Sequence, residues 1–463
     1  MFLHQFHLES LGHASYLIGD ESSGEALVLD PQRDVRGYFE VAREHGFRIA
    51  YVTETHGHND YVSGICEIVA RAADIAVLAS DAGAWGYAHR SVRDGEQIEM
   101  GDVGFEVMHT PGHTPEHMSL LVHDRAVGEV PALLLSGGAL LVGDVARPDL
   151  LGDATQRRAS ADAMCEMLRT RILPLPDHVE VFPTHVAGSL CGGTIGSRLS
   201  TTVGYERRTN PLLSRLATGS EGECMDLEDL PAVPPYWRRM RPQNLAGPAL
   251  LGTLAEPAAL DVDEVQRLHD TGAVVLDARQ PESFAGGHVP GALNVGLGGS
   301  FPTWAGTVVP EAAEIVLVLD RADDLWEATW QLLRIGLGPP AGWLAGGMDD
   351  WRTSGREVAT LSQLTVQQAR ERVARGEIEL LDVRQPREWR AGRAEHAIWI
   401  TAGELPSRLD DVPSGRPVAV ICGSGFRSSV AARLLVAAGR DALSVVGGMT
   451  AWKAAGLPLV GEP

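Results

Sequence analysis

The chain carries one pair of motifs twice, and that duplication constrains its architecture more than any other feature. Leu276-Asp277-Ala278-Arg279-Gln280-Pro281 returns as Leu381-Asp382-Val383-Arg384-Gln385-Pro386, an offset of 105 (382 − 277). Gly346-Gly347-Met348 with Trp351 returns as Gly447-Gly448-Met449 with Trp452, an offset of 101 (449 − 348). Each copy opens with a helix-like segment and an apolar strand ending in Asp-x-Arg. Strands alternating with helices follow, which predicts an α/β fold with a doubly wound parallel sheet in each copy. With 463 residues, 44% of them apolar, the chain suits three domains with packed cores. The expected spans are 1–245, 257–358 and 361–460.

Ahead of the repeats, Thr55-His56-Gly57-His58-Asn59-Asp60-Tyr61 follows the apolar run Ile49-Ala50-Tyr51-Val52. Two imidazoles two residues apart, with a carboxylate two further on, form a dense set of metal-binding groups. Taken alone, His-x-His fits an ordinary polar loop equally well. The wider pattern favours a metal. His113 in Thr110-Pro111-Gly112-His113-Thr114, Asp144 in Val142-Gly143-Asp144 and His185 in Pro183-Thr184-His185 each follow an apolar, strand-like run. Four strand ends delivering ligand-type residues predict one metal site at one edge of a sheet sandwich.

This spacing resembles the metallo-β-lactamase superfamily across residues 1–245, and the resemblance implies an αββα sandwich. The match departs at Tyr61, where dinuclear hydrolases of the superfamily carry a histidine for a second metal. A phenol, with a pKa near 10, stays protonated at neutral pH, so a full second site is not expected. His56, His113 and Asp144 remain, the two-His, one-carboxylate set associated with non-haem Fe(II) and O₂ chemistry. Two further stretches resemble the persulfide dioxygenase branch: Gly143-Asp144 followed by Arg147-Pro148-Asp149-Leu150, and Gly188-Ser189-Leu190-Cys191-Gly192 after His185. That likeness implies one Fe(II) per chain, with zinc as the alternative. It also implies a homo-oligomer, dimer or tetramer, acting on O₂ and a low-molecular-weight persulfide such as glutathione persulfide. His58, Asp60 and His185 would orient ligands or substrate or hold an alternative metal, and inherited scaffold is the other reading of His58 and His185. Cys191, Arg147 and Tyr61 are candidate substrate or sulfur contacts. A small buried hydrophobe is an equal reading of Cys191, and Arg147 with Asp149 would serve as well to brace the Asp144 loop.

Both repeats resemble the rhodanese domain, and only the second keeps a nucleophile. Its strand, 417–421, runs into Cys422-Gly423-Ser424-Gly425-Phe426-Arg427-Ser428 and an amphipathic helix. A cysteine at a strand tip, ringed by glycine N–H groups and facing a helix N-terminus, is expected to favour its thiolate, with Arg427 adding positive potential. Four residues separate Cys422 from Arg427; a phosphatase-type loop is one residue longer and cradles a phosphate. The shorter ring suits a single sulfur atom, against a phosphatase or an inert buried cysteine. The first copy has Asp320 at the matching place, followed by Arg321-Ala322-Asp323-Asp324, with neither nucleophile nor glycine. It reads as a scaffold, and its Gly287-His288-Val289-Pro290-Gly291-Ala292 as a structural turn.

The resemblances together imply oxidation of persulfide to sulfite, coupled to sulfur transfer that makes or consumes thiosulfate, in sulfide detoxification. Two alternatives stay open: a zinc thioester or lactone hydrolase with sulfur-carrier domains, and a non-oxidative sulfur relay. A net charge of −22, distributed along the chain, disfavours nucleic acid and anionic membrane as partners. Five cysteines, odd and sparse, predict a reducing cytoplasm and no disulfide framework. Met1-Phe2-Leu3-His4-Gln5 lacks a basic, apolar leader, and the apolar stretch 130–145 falls short of the ~20 residues of a membrane span. Six prolines between 231 and 257 predict a stiff, partly extended connection anchored by Trp237.

Overall fold

Residues 1–72, 74–219, 224–227 and 230–461 are described by a computed structural model. The chain divides into two compact units, Met1–Pro231 with Trp237–Gly252, and Ala232–Tyr236 with Thr253–Pro463.

In the first unit, β1 (Phe2–Leu8), β2 (His13–Asp20), β3 (Glu25–Leu29), β4 (Arg48–Thr53), β5 (Ala76–Ser80) and β6 (Arg90–Val92) form one sheet in chain order. Strands β7 (Gln97–Met100), β8 (Val103–His109), β9 (Met118–Asp124), β10 (Pro131–Gly137), β11 (Glu180–Pro183) and β12 (Thr201–Thr202) form the second. Side chains alternate between faces at a period of two, and that decides the layers. Tyr16, Ile18, Leu120 and Val122 point into a shared core between the sheets. Their neighbours Leu17 and Leu121 point outward, Leu17 onto a cluster with Tyr38 and Ile65, Leu121 onto one with Met164 and Leu168. Helices Arg36–Glu44 and Ile65–Val69 cover one outer face, and helix Ala154–Met167 the other. Burying a side chain such as Leu17 completely stabilises by about 1.5–3 kcal/mol. The result is the αββα sandwich.

Three expectations are corrected. The strand-like run 139–142 is not a strand: β10 stops at Gly137, whose φ of 57° turns the chain. Leu140 instead fills the core beside Met164 from a loop, so Asp144 lies well past the strand end. The proline-rich connection is not extended throughout, since Trp237–Ala246 is a helix that tolerates Pro242 and buries Trp237, Met240 and Asn244. Trp237 is the anchor expected of it. Finally, Cys165 and Cys224 form a disulfide, leaving Cys66, Cys191 and Cys422 free. A pairing across 59 residues leaves no signature in local spacing. Among the described residues no helix is long and apolar enough to cross a membrane.

The second unit holds two five-stranded sheets whose pairings are all parallel. The first comprises β13 (Ala258–Leu260), β14 (Val274–Asp277), β15 (Leu293–Asn294), β16 (Ile315–Val318) and β17 (Gly342–Leu344), ordered 13-17-16-14-15. The second comprises β18 (Gln363–Leu364), β19 (Glu379–Asp382), β20 (Ile398–Trp399), β21 (Val418–Ile421) and β22 (Ala442–Val445), ordered 18-22-21-19-20. The repeated Asp-x-Arg is a turn brace in both. Arg279 pairs with Asp277 at 2.6 Å and reaches the Gly287 carbonyl, while Arg384 pairs with Asp382 at 2.7 Å and reaches that of Gly392. The two repeats touch directly. Ser429 donates to Asn294 Oδ1 at 2.8 Å, and Arg433 Nε to the Ala292 carbonyl at 2.6 Å.

Candidate metal centre and cysteine loop

The loop after β4 delivers the first histidines, and other elements fix its backbone. Thr55 N–H donates to Asp30 Oδ1 at 2.6 Å, and Gly57 N–H to Glu116 Oε1 at 3.0 Å. Asn244, from the helix that carries Trp237, donates to the carbonyls of His58 (2.9 Å) and Tyr61 (2.8 Å) and accepts from Ser63 N–H (2.9 Å). Gly64 closes the loop where a Cβ would stand 1.9 Å from the Gln32 carbonyl oxygen. Only glycine fits there.

His56, His113 and His185 converge, with one ligand atom from each lying within 4.8 Å of the others, and all three are buried. Tautomers are set from behind. Thr55 Oγ1 lies 2.8 Å from His56 Nδ1, and the Arg147 carbonyl accepts from His113 Nδ1 at 2.8 Å. Their Nε2 atoms are thereby left for the centre: His113 Nε2 has no hydrogen-bond partner, and His56 Nε2 meets His185 Nε2 at 3.5 Å. Burial, then neighbouring imidazoles, pushes His56 well below its ordinary pKa, and burial lowers His113 to about 3. Both rings are neutral near pH 7, with lone pairs available. Three buried, convergent imidazoles, two of them held neutral by burial, are a ligand set that suits a transition metal.

Asp144 is not brought into this cluster. Its Oδ2 accepts from Gly193 N–H (2.7 Å) and Thr194 N–H (2.6 Å), and its Oδ1 from Val145 N–H (2.9 Å). The early end of β10 is the reason, since it leaves Asp144 in a loop that it pins to the segment after Cys191. Asp60 is nearer, its Oδ2 3.5 Å from His185 Nδ1. Burial alone would raise the Asp60 pKa, but facing His185 and His58 hold it at about 2. Cys191 completes a second group with Asp60 and His185. Burial, then Asp60, pushes its thiol well above the usual range.

His58 stands apart, its Nε2 3.0 Å from Asp30 Oδ1 and 2.7 Å from Glu54 Oε2. Burial opposes its charge, yet the two carboxylates raise it to about 10, so it is an imidazolium at neutral pH. Asp30 also accepts from Thr55 Oγ1 (2.9 Å) and from Thr184 Oγ1, linking His58 to the residues beside His56 and His185. Tyr61 is buried, its ring 4.1 Å from His13 and 4.5 Å from His58, and its hydroxyl donates to the Asp30 carbonyl. It packs the network. Arg147 pairs with Asp149 at 2.7 Å and donates to the Pro231 carbonyl at 2.6 Å, bracing the loop that orients His113. His117 is spent elsewhere, with Nδ1 on Thr110 Oγ1 and Nε2 accepting from Gly138 N–H. Sequence reasoning missed Asp30, Glu116 and Asn244, because a lone acidic or amide residue far along the chain carries no local signal, and Glu54, because an acid beside the motif does not show that it turns toward His58.

In the second unit, Cys422 follows β21 and is fully buried. Gly425 N–H donates to Sγ at 3.1 Å, and the thiol lies 3.7 Å from Ser428 Oγ. Gly425, at φ 108°, starts helix Phe426–Ala437. The recurrent Gly-Gly-Met motif differs in use between copies. A Cβ on Gly448 would meet the Cys422 carbonyl at 2.4 Å, whereas one on Gly347 would meet nothing within 4 Å. Arg427 differs from expectation: both terminal nitrogens bind Glu388, at 2.6 and 2.7 Å. Burial would raise the Glu388 pKa, but Arg427 outweighs it and holds that carboxyl below the usual range. In the first copy, Asp320 is exposed ahead of a short turn, Ala322–Asp324, and helix Leu325–Arg334.

A buried histidine centre at the edge of an αββα sandwich, followed by two parallel sheets, defines a metallo-β-lactamase fold joined to sulfurtransferase-type domains. Residues 9–185 match the metallo-beta-lactamase superfamily model, and residues 261–354 and 365–455 the rhodanese-like domain model. The crystal structure of a metallo-beta-lactamase from Staphylococcus aureus subsp. aureus COL superposes with a TM-score of 0.65 at 31% identity, covering 74% of this chain and 98% of that one. The persulfide dioxygenase ETHE1 of Bos taurus is 28% identical over 47% of this chain and 77% of its own length. The cytoplasmic hydroxyacylglutathione hydrolase of Arabidopsis thaliana is 31% identical over 39% and 66%. The chain belongs to the metallo-beta-lactamase superfamily, as a fusion with two rhodanese-like domains.

Proposed function

We propose that the chain is a persulfide dioxygenase and sulfurtransferase, with one Fe(II) held by His56, His113 and His185, acting in sulfide detoxification in the cytoplasm. The observation that carries this reading is the pairing, in one chain, of a buried, convergent histidine centre with a cysteine whose sulfur accepts a backbone N–H. Similarity to a persulfide dioxygenase supports it. Iron bound there would supply the electrons and open positions that O₂ chemistry needs. The overall change is R–S–SH + O₂ + H₂O → R–SH + sulfite + 2 H⁺, with glutathione persulfide a representative substrate. The protein's own part is positional: Thr55 and the Arg147 carbonyl hold His56 and His113 in one tautomer, and the His58–Asp30 network fixes the loop beneath them. Asp60 and Cys191 border the centre beside His185 and would meet a persulfide bound there. In the terminal domain, Cys422 would accept the outer sulfur of a second persulfide and pass it to sulfite, giving thiosulfate.

A zinc thioester hydrolase is the second reading, favoured by the all-imidazole cluster and by the hydroxyacylglutathione hydrolase relative. Protein purified without oxygen separates the two. About one iron per chain, with persulfide-dependent O₂ uptake lost in His113→Ala while transfer through Cys422 survives, is the expected outcome. Zinc with thioester cleavage and no O₂ uptake would overturn it.

A further inference from the structure

The rhodanese loop carries a carboxylate at its rim. Cys422 is buried, Gly423 half-buried and Ser424 exposed, so the loop opens on the Gly423–Ser424 side. There the Arg427 guanidinium and the Glu388 carboxylate lie over Gly423, whose added Cβ would stand 2.9 Å from Arg427 Nη2 and 3.4 Å from Glu388 Oε1. The pairing takes one N–H from each terminal nitrogen of Arg427, so Glu388 occupies the end of its planar fork and matches its charge. Glu388 is itself held in place, because its Oε2 accepts from Gln385 N–H at 3.1 Å. The other nearby cation, Arg384, is committed to Asp382 and to the carbonyls of Glu388 and Gly392. Arg387 and Arg390, on the same short helix as Glu388, are exposed to solvent.

We propose that Glu388 is a specificity-determining residue that sets the Cys422 loop against thiosulfate, whose two negative charges lie beside the transferred sulfur, and toward organic persulfides, whose reacting group carries one charge at most. This rests on the reading of Cys422 as a sulfur carrier and adds the class of its donor. In the favoured step the Cys422 thiolate attacks the outer sulfur of R–S–SH. A new S–S bond forms at Sγ, the R–S–S bond breaks, and R–S⁻ leaves with the bonding electrons: Cys–S⁻ + R–S–SH → Cys–S–SH + R–S⁻. No oxidant is consumed. Thiosulfate carries two negative charges toward a rim whose arginine is already matched, whereas an alkyl persulfide carries one at most. Repulsion between a rim carboxylate and a dianion several ångströms away, only partly screened by solvent, corresponds to about tenfold in binding.

The test compares thiosulfate with an alkyl persulfide as donor to the full chain, cyanide being the acceptor. Glu388→Gln keeps an acceptor for Gln385 N–H and removes the charge. It should raise the ratio of kcat/KM for thiosulfate over that for the persulfide about tenfold, mainly through a lower thiosulfate KM that climbs again with salt. Glu388→Asp, which retains the charge, should keep the wild-type ratio, an outcome that a merely structural role would not produce. An unchanged ratio in Glu388→Gln overturns the assignment of Glu388 and leaves the carrier role of Cys422 standing. Failure of the wild-type chain to transfer sulfur from either donor overturns both.

Discussion

Three buried imidazoles whose ligand atoms meet within 4.8 Å would be an unfavourable way to fill a protein interior if no metal joined them. A buried ring nitrogen without a partner costs about 1–3 kcal/mol, and His113 Nε2 has none. The geometry therefore separates two residues that spacing alone had grouped. His185→Ala removes a convergent nitrogen and should lower the metal content of anaerobically purified protein well below one per chain. Asp144→Ala should leave the metal content intact. It should still destabilise the fold by about 1–3 kcal/mol, because three backbone N–H groups lose their acceptor. Elemental analysis with thermal denaturation reads both. Loss of metal from Asp144→Ala, with retention in His185→Ala, would restore the two-His, one-carboxylate set. His56 and His113 were legible as ligand candidates from their place at strand ends. Asp144 lies outside the histidine cluster, because the apolar run before it looks like a strand and is a buried loop.

Elements position this site from long range. The His-rich loop belongs to β4, yet Asn244 in helix Trp237–Ala246 and Glu116 ahead of β9 supply its backbone partners. Asn244→Ala would strip a donor from two carbonyls and an acceptor from one N–H, all buried. We expect about 1–3 kcal/mol of lost stability, and a weaker hold on metal in competition with a chelator, since the loop frames His56. Unchanged chelator competition would show that the helix only covers the site. This helix fell in a stretch whose prolines signalled an extended connection. Pro242 is tolerated because buried Trp237 and Met240 fasten the segment through side chains, and no sequence window contains the surface they pack on.

At the scale of the molecule, two copies of one fold differ at the matching loop. The first repeat presents Asp320, an acidic turn and a Gly347 with open space around it. The second presents Cys422, a glycine loop and a Gly448 pressed against the Cys422 carbonyl. Cys422→Ser should therefore leave sulfite accumulating where the native chain makes thiosulfate. Adding Asp320→Cys should not rescue it, because Arg321-Ala322-Asp323-Asp324 offers no glycine N–H cradle and two carboxylates disfavour a thiolate. Ion chromatography of the products, and mass spectrometry for an added sulfur on Cys422, check this. Thiosulfate at the native rate from Cys422→Ser would remove the terminal domain from the pathway. The repeats, the parallel sheets and the cysteine loop followed from the sequence itself, because they rest on local periodicity and on motifs a few residues long. The αββα class followed from the resemblance of the histidine motif to a known superfamily. The convergence of His185 on His56 and His113, the Cys165–Cys224 bond, the buried Asp30–His58–Glu54 network and the Glu388–Arg427 pair were decided by tertiary structure alone. Each depends on which distant side chains share one volume, and that is settled only when strands from opposite sheets, or helices far along the chain, close around it.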